Sequence, residues 1–180
     1  MQNSNYPSNT PSATSAITRP HWRMLINPLH SLALGFGTGL SPIAPGTVAT
    51  LFAWFSFIQL DAWIGTMHWL FIIAIGLVVG VIVCKYTGQA LGEEDHSAIV
   101  WDEILAFWII LLLLSPSSWS TQCWAFLWFR FFDIVKPGPI RFVDEKMSGM
   151  GWRGAIGVML DDLLAAFLTL LIFAFWYALR

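Results

Sequence analysis

From Ala62 to Cys84 the chain runs for about 23 residues without an Asp, Glu, Lys or Arg, enough as a helix to cross the roughly 30 Å hydrocarbon layer of a bilayer. A run of that kind needs either a membrane or a large soluble core around it. The rest of the chain offers no such core: of its 180 residues, 57% are hydrophobic and only 11% charged, against about 25% charged in soluble domains. The mean hydropathy is +0.66. The expected fold is therefore all-α, an integral membrane helical bundle of about five apolar helices plus a short interfacial or re-entrant N-terminal helix.

Gly, Pro and the scattered charges divide the chain. Residues 1–23 are rich in Ser, Thr, Asn and Pro, a composition that predicts a disordered tail, followed by a single membrane domain over 24–180. The pattern predicts a short helix around Pro28–Phe36, a Gly/Pro loop through Gly46, and helices at about Thr47–Leu60, Ala62–Cys84, Ile104–Leu114, Trp119–Phe132 and Gly154–Ala178. Two polar loops separate them, Lys85–Ser97 and Lys136–Arg153. Basic residues collect at Arg19 and Arg23, at Lys85 and in the second loop, whereas the turns near Asp61 and Ser115–Thr121 hold none. By the positive-inside bias, five crossings with a cytoplasmic N-terminus satisfy this pattern. A net charge of -2 offers no field for nucleic acid. Cys84 and Cys123 show no redox or metal spacing.

The acids are the chemical signal. Asp102 and Glu103 open the apolar segment WDEILAFWIILLLL, Asp133 lies in FRFFDIVKP, and Asp161-Asp162 interrupt GVMLDDLLAAFL. A carboxylate at membrane depth costs about 2.5–3.5 kcal/mol on insertion scales, so such groups face a bundle interior and usually serve a function. Asp102 and Glu103 also suit a helix N-terminus, where the dipole favours acids. Adjacent residues diverge by about 100° around a helix, so one of Asp161 and Asp162 is free to face a site while the other orients it. Carboxylates converging near one membrane face repel unless a cation neutralises them, and all-oxygen ligation by Asp102, Glu103, Asp161 and Asp162 suits Mg²⁺, Mn²⁺ or Ca²⁺.

Cations accompany the acids. Arg130, Asp133 and Lys136 are spaced by three, sharing a helix face until Pro137 ends it. With Arg141 they suit phosphate recognition, or alternatively anchoring at the cytoplasmic rim. The string GFGTGLSPIAPGT, with Ser41, Gly46 and Thr47, is either a phosphate-binding nest or a plain loop; no GK[ST] follows to make it a Walker A loop. His96, beside Asp95, is a candidate acid or base or a solvated loop residue.

Taken in order, GFGTGLSPIAPGT, DHSAIVWDE, FRFFDIVKPGPIR and GVMLDDLLA resemble the signature blocks of the phosphatidylglycerophosphatase A family, over about residues 27–172. The chain departs from that family's pattern at Gly138, at Ala49-Thr50 and around Trp152–Ala155. The resemblance implies a Mg²⁺-dependent lipid phosphatase of the bacterial inner membrane that converts phosphatidylglycerophosphate to phosphatidylglycerol and phosphate. No obligate protein partner is expected, and the site would lie on the cytoplasmic face. The motif match assigns Asp102 and Glu103 to the WDE acids, Asp133, Lys136 and Arg141 to the KP-containing block, and Asp161 and Asp162 to the DD pair. Water would be the nucleophile, oriented by a remaining carboxylate or by His96. The alternative is a small cation- or proton-coupled transporter, which would distribute its acids across the membrane depth.

Overall fold

The computed structural model describes residues 19–93, 95–147, 149 and 151–179, with backbone only at 139 and 144. Among them all regular structure is helical. Seven α-helices follow in order: α1 (Pro28–Ala33), α2 (Pro45–Asp61), α3 (Thr66–Leu91), α4 (Trp101–Leu114), α5 (Trp119–Val135), α6 (Gly138–Met147) and α7 (Trp152–Ala178). Short 3-10 turns at Trp22–Ile26 and Gly35–Leu40 flank α1. Most of the tail expected to be disordered lies outside the described residues, but Trp22 and Arg23 belong to the first of these turns.

The core is built from α4, which is apolar on nearly every face and packs against α2, α3 and α7. Ile104, Leu105, Phe107, Ile110 and Leu111 are all buried. Neighbouring helices approach through small residues, Ala49 and Ala53 on α2 and Ala165, Ala166 and Thr169 on α7, so backbones come close and dispersion contacts multiply. Buried tryptophans find acceptors: Trp101 Nε1 donates to the Gly76 carbonyl at 3.1 Å and Trp108 Nε1 to that of Ala53 at 3.0 Å. His30 on α1 is hydrogen-bonded to Thr87 on α3 at 2.9 Å, and burial there lowers its pKa.

Three expectations need correction. Two helices among the described residues, α3 and α7, are long and apolar enough to cross a membrane, rather than about five. The reason is length: α2, α4 and α5 have 17, 14 and 17 residues, spanning about 25, 21 and 25 Å at 1.5 Å per residue. The first polar loop is shorter than expected because α3 continues through Lys85 to Leu91 and stops at Gly92, with φ 86°. Lys85 lies within this helix with its ammonium over the Trp152 ring, 3.9 Å from the centroid. The second polar loop is mostly helix: α6 occupies Gly138–Met147, anchored by fully buried Ile140.

Candidate active site

Helices α2 and α4 begin, and α5 ends, at the same end of the bundle, and α7 enters from that end. Asp102 and Glu103 occupy the first turn of α4. Asp162 is reached ten residues into α7, about 15 Å along its axis. Carboxylate oxygens of Asp102, Glu103 and Asp162 all come within 4.8 Å of one another. Asp102 and Asp162 are 6% and 4% exposed, whereas Glu103 is partly open. Asp102 Oδ1 also accepts from the Glu103 amide at 3.1 Å, one of the first-turn amides that have no partner within the helix.

Helix α5 supplies the cation. Arg130 Nη1 lies 2.7 Å from Asp133 Oδ2, and the Asp133 carboxylate is close enough to act electrostatically on all three clustered acids. Helix α2 supplies the fourth wall. A Cβ at Gly46 would collide with Glu103 Oε1 and stand 3.1 and 3.2 Å from the Arg130 guanidinium nitrogens, so only glycine admits both side chains. Pro45 lacks an N–H, and no side chain caps this helix, leaving the Gly46 and Thr47 amides as uncapped donors at a positive helix end.

Several buried polar atoms here have no hydrogen-bond partner among the described residues: Glu103 Oε2, Asp162 Oδ2 and Arg130 Nε. Such atoms are costly to bury unless something else satisfies them. Two unpartnered carboxylate oxygens and a guanidinium N–H suit a cation and an anion together. The donor set is all oxygen, and its spacing fits a hard divalent cation such as Mg²⁺.

The other predicted residues lie around this centre or away from it. Asp161 turns about 100° from Asp162 and meets Lys136 Nζ at 2.8 Å, so it stands outside the three-acid cluster expected to include it. Lys136 does not continue the Arg130–Asp133 face, because α5 ends at Val135 and Lys136 adopts a left-handed φ of 44°. Its ammonium also lies 3.9 Å from Asp95, a neighbour that the DHS string places near the acids without revealing its partner. Arg141 is solvent-exposed on α6 and bonds Glu145 at 2.8 Å; sequence reading missed this helix, and so missed the i,i+4 pairing. His96 Nδ1 accepts from the Ala98 amide at 3.1 Å. Ser41 donates to the Ile43 carbonyl at 2.9 Å. Both serve their own turns. Thr47 remains at the α2 terminus beside Gly46. A cavity of about 580 Å³ between α5 and α7, lined by Ser118, Trp124, Trp128, Phe173 and Tyr177 among others, lies at the opposite end and has no charged lining.

The fold and the site define a class: an all-helical protein with buried carboxylates and a guanidinium gathered at one end of its bundle. The chain belongs to the phosphatidylglycerophosphatase A family, whose model matches residues 31–177, and it is a phosphatase. It is 40% identical over 154 residues to the phosphatidylglycerophosphatase A of Haemophilus influenzae, covering 85% of this chain and 91% of that one. The Escherichia coli phosphatidylglycerophosphatase A is 38% identical over 143 residues, or 79% and 80% of the two chains. A Bacteroides thetaiotaomicron protein proposed to be a phosphatidylinositol-3-phosphatase is 34% identical over 149 residues, 79% and 89% of the two. No solved structure matches. Nothing in these relatives supports the transporter alternative.

Proposed function

We propose that the protein is a Mg²⁺-dependent phosphatidylglycerophosphate phosphatase of the bacterial inner membrane, acting at the cytoplasmic face. The observation that carries this reading is the convergence of Asp102, Glu103 and Asp162 with Arg130 and Gly46, in a chain so similar to phosphatidylglycerophosphatases. Magnesium held by the three carboxylates would offset the charge that builds on phosphate oxygens during transfer. Arg130 presents a planar guanidinium to those oxygens, and the Gly46 and Thr47 amides add donors from the α2 terminus. Asp133, 15% exposed in its side chain, would take the proton of an attacking water. Oxygen of that water bonds phosphorus, the ester bond to glycerol breaks, and the proton held by Asp133 passes to the departing glycerol oxygen, giving phosphatidylglycerol and inorganic phosphate.

The exterior supports a membrane setting. Met67, Phe71, Ile75 and Val78 on α3 and Phe167, Leu171 and Phe175 on α7 are exposed, a surface too apolar for water. Exposed aromatics mark both ends: Trp63, Trp119, Trp124 and Trp176 at one, Trp22, Tyr86 and Trp152 at the other, as in interfacial belts. In this reading α2, α4 and α5 complete their crossings with the help of flanking turns. The test is phosphate release from phosphatidylglycerophosphate micelles by purified protein, with and without Mg²⁺, beside a soluble phosphomonoester. Metal-dependent release from the lipid is expected; no release with any divalent metal, from folded protein, would sink the proposal.

A further inference from the structure

Phe36 is the one non-glycine in a left-handed stretch, with φ values of 54°, 57° and 105° at Gly35, Phe36 and Gly37. That conformation is unfavourable for a side chain bearing a Cβ, and glycines already stand on both sides. Burial does not offset the strain, because the ring is 56% exposed. It leans on Phe52 of α2 at 6.1 Å and edge-on to Trp101 at 6.2 Å. The segment holding it is fastened. The Val100 amide donates to the Ala33 carbonyl at 2.9 Å, and the Gly37 and Gly39 amides both donate to Leu34 at 3.0 Å. A Cβ at Gly39 would strike the Ala98 carbonyl. The ring is thus fixed to α4 one residue before Asp102, and to α2 within ten residues of Gly46.

A strained, exposed aromatic resting on α2 and on the start of α4, the helices that carry Gly46 and Asp102, has its use outside the fold. Resting on the lipid-substrate reading above, we propose that Phe36 is a specificity residue: its ring packs against the diacylglycerol part of the substrate where this leaves the site for the bilayer. The polar head group then reaches the acids while the acyl chains lie along Phe36, Phe52 and the hydrocarbon. A short-chain lipid with the same head group forgoes this contact.

The test uses the full-length protein with dioleoyl phosphatidylglycerophosphate in mixed micelles and with its water-soluble dibutyryl counterpart. Phe36→Ala should lower kcat/KM on the long-chain lipid by about tenfold or more, the range of one lost apolar contact, and leave the short-chain value within about twofold. Phe36→Leu should keep most long-chain activity. Phe36→Gly relieves the backbone and so should melt no lower than the native chain, while losing the same long-chain activity. Equal loss on both lipids, or no loss on either, would overturn the proposal. A native chain silent on both lipids would instead overturn the phosphatase reading and remove the basis for this one.

Discussion

Asp162 is the side chain on which the site turns, because it alone brings α7 to the acids of α4. Asp162→Asn keeps the volume and removes the charge. It should lower kcat by about 10²–10³-fold or more, in line with loss of a group that stabilises transition-state charge. The melting temperature of the native protein should rise with Mg²⁺ by mass action, and that rise should vanish in the variant; full activity would refute the ligand role. Gly46→Ala separates stability from activity. Alanine gains up to about 1 kcal/mol over glycine in a helix, against a clash with Glu103 and the Arg130 guanidinium. Melting should move little while phosphate release falls sharply, and an active variant would show that the α2 terminus does not touch the site. At this scale the acids are legible in sequence because a carboxylate inside an apolar helix demands a reason. Which member of Asp161-Asp162 faces the cluster is not, since helical phase is set by the neighbours α4 and α5.

The ends of elements decide where the remaining charges go. Lys136 would have continued the Arg130–Asp133 face had α5 run one residue further; Pro137 stops the helix, and the left-handed Lys136 swings to buried Asp161. This pair fastens the end of α5, the helix of Arg130 and Asp133, to α7, the helix of Asp162. Lys136→Met leaves Asp161 without its ammonium. The destabilisation should be about 1–3 kcal/mol, below the 3–5 typical of deeply buried pairs because water reaches Lys136. Adding Asp161→Asn should restore most of that stability, seen as recovery of the melting temperature in detergent; additive losses would show that the two do not act as a pair. Helices α2, α3, α4, α5 and α7 are legible from their apolar runs. Helix α6 is not, because GPIRFVDEKM exposes most of its surface and buries Ile140, too weak a stripe against flanking Pro and Gly. The overrun of α3 past Cys84 is hidden for the same reason, Lys85 being held by an aromatic ring distant in sequence.

For the whole molecule, the distribution of charge and aromatics argues for one orientation. The end that gathers the acids and Arg130 also holds Lys85, Lys136, Lys146 and Arg153, while the end with Asp61 and the cis Ser115–Pro116 turn has no Lys or Arg among its described residues. Positive charge retained on the cytoplasmic side would place the site where a lipid phosphate made inside the cell is presented. Helices α2, α4 and α5 each fall short of about 30 Å, so for α5 its two ends carry the argument: if the turn at Ser117 is external and α6 internal, an odd number of crossings must separate them, and α5 is the sole helix between the two. In a background lacking Cys84 and Cys123, Ser117→Cys in intact cells should react with a membrane-impermeant maleimide added from outside. Lys146→Cys should react only after permeabilisation. Labelling of both from outside, or of neither, would mean that α5 does not cross.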